Sequence, residues 1–278
     1  MKEKLFDKNY IKNLCKQYNL DSLKEWGQHF LLDKKVINKI IEVSEITSED
    51  EVVEIGPGFG TLTFALSKLA RKVIAFEIEK RLKPYWEQNK TENINIIWGN
   101  GLENFKNNQD NLFQQYKFVA NLPYQITSRI IRTVLEAENK PDTMTVMVQK
   151  EVATRICADK DKSKLTVAVK LFGEPKLIRE VPRESFYPPP RVDSAILTVE
   201  NIQSPEIDKK NFFKVVSAGF AHRRKQLKNN LSTDLGIDKQ QAGAILGEIT
   251  GKEKIRAQRL SLEDWKQLCE QLRDNDLI

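Results

Sequence analysis

Glu51-Val-Val-Glu-Ile-Gly56-Pro-Gly58-Phe-Gly60-Thr-Leu-Thr63 is the stretch that decides the fold. A short apolar run at 51–55 ends in three glycines spaced two apart, and TLTFALSKLA (61–70) follows with a helical pattern. Strand, glycine-rich turn and helix in that order make the opening unit of a parallel α/β sheet. The glycines allow a tight turn and let backbone approach a ligand closely, just ahead of a helix start. A dinucleotide site prefers G-x-G-x-x-G, whereas G-x-G-x-G better fits a nucleoside that carries no pyrophosphate. A glycine-rich turn can equally be nothing more than a turn.

Working outward, the same rhythm recurs. KVIAFEI (72–78), INIIWGN (94–100), KFVANLPY (117–124) and TMTVMVQ (143–149) read as strands, and SRIIRTVLEA (128–137) reads as a helix. Strands alternating with helices argue for a doubly wound parallel sheet with right-handed crossovers. KLTVAVKLF (164–172) and SAILTVE (194–200) are two later strand candidates, suited to a hairpin-like finish. Upstream, residues 1–26 read as a helical segment, and KKVINKIIEVSEI places Val36, Ile37, Ile40 and Ile41 on one helical face. After about residue 201 the pattern is helical again, in NFFKVVSAGFA, RKQLKNNLS, KQQAGAILGEI and LEDWKQLCEQL. The expected division is a catalytic α/β domain over 1–200 and a small all-α C-terminal domain over 201–278, linked by NIQSPEID (201–208).

Composition narrows the class. The chain has 278 residues, 40% of them hydrophobic and 30% charged, enough apolar material for a core. No apolar run is long enough to span a bilayer, and MKEKLFDKNYIKNLCKQ lacks the apolar centre of an export signal. Cys15, Cys157 and Cys269 are scattered and lack metal-ligand spacing, so free thiols, a cytoplasmic location and no metal are expected. A net charge of +6 favours a polyanionic partner, although many basic proteins bind no nucleic acid.

The chemistry-bearing residues fall at four predicted strand ends, where ligands of such sheets bind. Gly56 and Gly58 form the first. Glu77, 21 residues after Gly56, ends the second and can accept hydrogen bonds from ribose hydroxyls, or it is an ordinary exposed glutamate beside Glu79. Asn100 ends the third; its amide can read an adenine edge, or it merely forms an Asn-Gly turn. Asn121-Leu122-Pro123-Tyr124 ends the fourth. An adenine N6 lone pair is delocalised into the ring, so chemistry there needs acceptors that hold the amine protons. The Asn121 side-chain oxygen and the Leu122 carbonyl can supply two. Pro123 stiffens the turn and removes a competing donor. Tyr124 offers an aromatic face to a base drawn out of its stack.

Together these residues resemble the rRNA adenine-N6 dimethyltransferase family, in particular its bacterial small-subunit branch. Trp26–Asp33 is similar to that family's GQNFL loop, 52–63 to its cofactor loop, and NLPYQITSRII (121–131) to its catalytic segment. Gln149–Ala153 with Arg155 is similar to another shared stretch, and Phe186–Ala195 to an F-x-P-x-P-x-V-D-S-A signature. The resemblance covers nearly the whole chain. It implies a Rossmann-like methyltransferase domain with a helical C-terminal domain, S-adenosylmethionine as cofactor, and transfer of two methyls to each of two adjacent adenosines near the 3′ end of small-subunit (16S) rRNA. It implies cofactor contacts at Gln28, His29, Leu31, Gly56, Gly58, Glu77, Asn100 and Asn121. His29 stands where asparagine is usual, Asn100 where aspartate is usual, and Gln125 where asparagine is common.

Phe186 is a candidate to stack on the target base with Tyr124, or a core plug beside the proline turn. Arg223, Arg224, Lys225 and Lys228 resemble the family's basic R-R-K-T-L-R-N element and read as a basic helix start for phosphate contacts, or as a solvated charged face. The expected partner is the small ribosomal subunit, and the expected state a monomer without membrane association. The rival readings are a large-subunit relative of the macrolide-resistance type, a DNA adenine methyltransferase, and a non-catalytic ribosome-assembly factor. A DNA enzyme more often carries D-P-P-Y and a recognition insert, and an assembly factor a broken clamp or cofactor loop.

Overall fold

The 51–55 run is buried on both faces and forms an interior strand of a seven-stranded sheet. A computed structural model describes residues 3–20, 28–108 and 115–278. The sheet contains β2 (Glu51–Ile55), β3 (Lys72–Glu77), β4 (Ile94–Trp98), β5 (Lys117–Asn121), β6 (Thr143–Gln149), β7 (Glu174–Val181) and β9 (Ser194–Glu200). Their order is β4-β3-β2-β5-β6-β9-β7. The first five run parallel, and β9 pairs antiparallel with both β6 and β7. Strand order reverses between β2 and β5, which opens a crevice at their carboxyl ends.

A two-stranded ladder supplements the sheet. β1 (Phe30–Leu31) pairs antiparallel with β8 (Phe186–Tyr187), matching Phe30 to Tyr187 and Leu31 to Phe186. It fastens the segment from Gln28 to the proline-rich stretch. Asp33 then caps α2 (Lys34–Ser44), accepting from Lys35 N at 2.8 Å, while its other oxygen accepts from the Ser185 hydroxyl. The apolar face of α2 (Val36, Ile37, Ile40) is buried as its periodicity requires, ahead of it α1 (Lys8–Gln17) buries Ile11 and Leu14. The parts of the predicted N-terminal helix at 1–2 and 21–26 lie outside the described residues, as do Trp26 and Gly27 of the loop motif.

Two expectations are corrected, and one strand is added. The helix read at 61–70 is only α3 (Thr63–Leu66), flanked by turns. KLTVAVKLF is not a strand but a helix, α8 (Lys164–Phe172), which follows α7 (Lys150–Cys157). A run buried on nearly every side carries no period, so apolarity alone does not distinguish the two. The distinguishing signal lay just upstream: Thr166 N donates to the Ser163 hydroxyl at 3.2 Å and Ser163 N to Thr166 Oγ1 at 3.0 Å, a reciprocal cap at a helix start. The strand beside β9 is instead β7, whose EPKLIREV alternates with charge and carries a proline near its start. That is the composition of an edge strand, and it lies at the edge of the sheet.

The chain forms two compact units, Met1–Ala153 with Gly173–Ile202, and Thr154–Phe172 with Gln203–Ile278. The single division expected at 200/201 assigns 154–172 to the catalytic part, whereas in the structure this segment belongs to the helical unit. Besides α8, the second unit holds α9 (Lys209–Gly219), α10 (Leu227–Leu235), α11 (Lys239–Thr250) and α12 (Leu262–Asp274), around Leu227, Leu231, Leu246, Trp265 and Leu268. No helix among the described residues is long and apolar enough to cross a membrane.

Candidate active site

The glycine loop after β2 is held by groups at some distance in sequence. Gly58 N donates to Glu77 Oε2 at 3.0 Å, and the other Glu77 oxygen accepts from Glu79 N at 2.8 Å. Behind the loop, α4 (Lys83–Asn89) presents Tyr85 and Trp86. Trp86 Nε1 donates to Gly58 O at 3.0 Å, and the Tyr85 hydroxyl to Phe59 O at 2.8 Å. Gly58 and Gly60 adopt φ of +54° and +81°. A Cβ on Gly60 would lie 2.7 Å from ring atoms of Phe64 and Trp86, so only glycine fits there.

This loop forms one wall of a cavity of about 310 Å³ in the first unit. Gln28, His29 and Leu31 line it from the N-terminal side, Glu54, Gly56 and Gly58 from β2 and its loop, and Glu77 and Ile78 from the end of β3. Asn100 contributes from beyond β4, and Asn121 through Ile126 from the end of β5, with Arg129 in the first turn of α6 (Thr127–Glu136). The four strand ends therefore converge on one space. A Cβ on Gly56 would lie 4.0 Å from Pro123 Cγ, so the first and fourth ends nearly touch.

At the fourth end, Asn121 Nδ2 donates to His29 O at 3.2 Å, and no described hydrogen bond ends on Asn121 Oδ1. Leu122 N donates to Met147 O on neighbouring β6, and the Leu122 carbonyl likewise receives no described donor. Pro123 O accepts from Ile126 N and from the Thr127 hydroxyl, closing the turn. The Tyr124 hydroxyl lies 2.5 Å from Ser194 Oγ, and burial raises its pKa above the ordinary phenol value, with the Ser194 bond opposing. Among the described residues, the turn thus presents two acceptors without a donor, and a fixed ring.

Glu54 is a buried carboxyl on the cavity wall. It is 1% exposed, and its Oε2 has no hydrogen-bond partner. Burial pushes its carboxyl up to about 8, the nearby Thr63 hydroxyl opposing and the Glu77 carboxylate adding. Burial also raises Glu77, its bonds from Glu79 and Gly58 N–H groups opposing. An orphaned buried carboxyl on a cavity wall suits a cationic or N–H-bearing ligand group. Glu77 keeps free lone pairs for hydroxyls. Ile78, 51% exposed, offers an apolar surface to a flat ring. The donor set fits a nucleoside joined to a positively charged chain.

The comparisons agree with this geometry. Residues 20–274 match the model of the ribosomal RNA adenine dimethylase family. The chain belongs to that family. The small-subunit rRNA methyltransferase A of Dehalococcoides mccartyi is 43% identical over 267 residues, covering 93% of this chain and 91% of its own. The same-named protein of Bacillus cytotoxicus is 38% identical, covering 95% and 96%. Among solved structures, a dimethyladenosine transferase from Plasmodium falciparum superposes with a TM-score of 0.73 at 25% identity, over 88% of this chain and 98% of that one. The 23S rRNA methyltransferase ErmE gives 0.65 at 27% identity, over 87% and 99%. The chain is accordingly an enzyme with the Rossmann-like fold of rRNA methyltransferases.

Within this dimethylase site, three expected roles change. Asn100 Oδ1 accepts from Leu102 N at 3.1 Å and Glu103 N at 3.4 Å, capping α5 (Gly101–Asn107). Its oxygen is therefore occupied, and only Nδ2 remains to read a ring nitrogen. Asparagine and aspartate serve equally well as such a cap. Phe186 is 3% exposed, packs in the hydrophobic core, and is not among the residues lining the cavity. Strand alternation in β8 turns it inward, so the core-plug reading replaces base stacking. Finally, 221–225 is a turn ahead of α10 and not a helix start; Arg223, Arg224 and Lys225 are exposed on it. Lys228 is only partly exposed and lies 3.7 Å from Glu253, an internal ion pair.

Glu54, Ser194, Tyr85, Trp86 and Arg129 were not singled out as site residues by sequence. Glu54 had a signal, an acidic residue inside an otherwise apolar central strand. Ser194, Tyr85 and Trp86 act through contacts between segments far apart in the chain, and Arg129 reaches the cavity only because α6 follows the end of β5, none of which a local pattern records.

Proposed function

We propose that this enzyme uses S-adenosylmethionine to dimethylate N6 of two adjacent adenosines near the 3′ end of small-subunit rRNA. The single observation that carries the reading is the Asn121 amide: its nitrogen is tied to His29 O, and its oxygen is left as an acceptor beside the unengaged Leu122 carbonyl and the Tyr124 ring. The bound cofactor supplies an electrophilic methyl carbon. Glu77 would hold its ribose hydroxyls, Glu54 its charged amino-acid end, and Asn100 Nδ2 with Ile78 its adenine. Asn121 Oδ1 and the Leu122 carbonyl accept hydrogen bonds from the target amine and favour positive charge developing on N6; as the N6–C bond forms the cofactor's S–C bond would break, and the displaced amine proton leaves to solvent. Tyr124 stacks on the extruded base. Orienting two reactants can contribute about 7–11 kcal/mol.

The similarity to named small-subunit enzymes supports that substrate over large-subunit RNA. A monomer in the cytoplasm acting during subunit maturation belongs to the same proposal. The test is mass spectrometry of rRNA nucleosides after incubation of the protein and cofactor with undermethylated small subunits. N6,N6-dimethyladenosine in the small-subunit RNA is expected. Its absence beside an active control sinks the catalytic reading, and its appearance only on large-subunit RNA moves the substrate to the resistance-type relatives.

A further inference from the structure

We propose that His29 is a positioning residue for the target-base clamp, orienting Asn121 and Tyr124 together. The inference rests on the adenosine-methylating reading above. It assigns the side chain at this position, where asparagine is usual, to the clamp in place of the cofactor contact that the resemblance implies.

Three contacts carry it. The Pro188 carbonyl can only accept, so the His29 Nδ1–H donates to it, at 2.7 Å. That bond fixes the ring and its tautomer. The imidazole then lies against Tyr124, ring centroids 5.6 Å apart and planes inclined by 29°. Ser194 holds the same tyrosine at its hydroxyl, so Tyr124 is braced along one face and at its tip. The backbone carbonyl of His29 meanwhile accepts from Asn121 Nδ2. This directs the amide nitrogen away from the substrate role and leaves Oδ1 as acceptor.

The ladder between β1 and β8 explains how these groups meet. Phe30 pairs with Tyr187, which puts His29 and Pro188, the next residue on each side, within reach of each other. A side chain without a ring could keep the backbone contact but not the stacked one. Rings at 5.6 Å are in contact and leave no gap for a base, so the target adenine stacks on the face of Tyr124 that His29 leaves uncovered. The ring is ordered before RNA arrives, which reduces what base capture must order.

The experiment compares wild type with His29→Ala, His29→Phe and His29→Asn. It reads kcat and KM on undermethylated small subunits, cofactor Kd by calorimetry, thermal midpoint, and fluorescence of 2-aminopurine placed at the target adenosine. His29→Ala is expected to lower kcat by about 10- to 100-fold, the range for a displaced reacting group. Cofactor Kd should stay within about threefold, and 2-aminopurine should lose the quenching that stacking on Tyr124 gives. His29→Phe, which restores a ring against Tyr124, should recover much of kcat and of the quenching; His29→Asn should recover neither. The inference is overturned if His29→Ala leaves kcat unchanged. It is also overturned if cofactor affinity falls as far as kcat/KM and is restored by Asn but not by Phe. Should the alanine variant fail to fold, the Phe and Asn variants decide by the same comparison. Wild-type turnover tests the parent reading separately: no dimethyladenosine there rejects both.

Discussion

Asn121 and Glu54 occupy the same cavity with opposite demands on charge. Asn121 must stay neutral and accept; replacing it with alanine removes one of two acceptors and is expected to abolish transfer. Cofactor Kd should rise by less than about tenfold, roughly 1.4 kcal/mol. Nucleoside mass spectrometry with calorimetry checks this, and near-normal turnover would refute the clamp. Glu54 is held with its carboxyl raised to about 8 by burial, against 4.5 when unfolded. A raised folded pKa favours the protonated form, so the stability it contributes is complete below about pH 4.5 and lost as pH rises through about 8. Glu54→Gln, which mimics the protonated form, should be more stable than wild type at pH 9 and similar at pH 4.5. The difference between the two curves should change by at most about 1.4 kcal/mol per pH unit across that window. Parallel denaturation curves at all pH values would show that Glu54 is ionised in the free protein.

At the scale of elements, the glycine loop is a product of β2, β3 and α4 together. Gly60→Ala places a Cβ against Phe64 and Trp86 at a left-handed φ, and is expected to destabilise the chain by about 1–3 kcal/mol. A thermal midpoint within a degree of wild type would contradict that packing. In the helical unit, the turn bearing Arg223 to Lys225 is anchored from beneath by Asn230, 1% exposed, whose Nδ2 donates to Gly219 O at 2.6 Å and His222 O at 3.1 Å. Asn230→Ala removes the side-chain donor to Gly219 O and one of two donors to His222 O, which keeps Lys225 N–H, and should cost about 1–3 kcal/mol. Hydrogen exchange should speed up in 219–226, and unchanged exchange there would remove Asn230 as the anchor.

For the whole molecule, a net charge of +6 predicts rRNA binding that weakens with salt. Replacing Arg223, Arg224 and Lys225 together with glutamine should reduce the slope of log K against log salt by about 2–3, at about 0.7–0.9 per phosphate contact. An unchanged slope would place phosphate contacts elsewhere. The central strands, the glycine loop, Glu77 and the 121–124 turn were all legible because each is a local pattern: buried runs, glycine spacing, a proline-stiffened strand end. Sequence by itself therefore determined the α/β class, the four strand ends and the family. It misread 164–172, whose residues are buried in either secondary structure, and it offered Phe186 two roles because alternation in a two-residue strand is set by its partner, β1. Only the tertiary structure decided that Asn100 is a cap with one hand free, that Lys228 is paired, and that 154–172 joins the helices. It alone showed that Glu54 is orphaned and that His29 leans on Tyr124. The physical reason is common to all five: burial, pairing and hydrogen-bond occupancy depend on groups brought together from distant parts of the chain, and a local pattern records only what each segment offers.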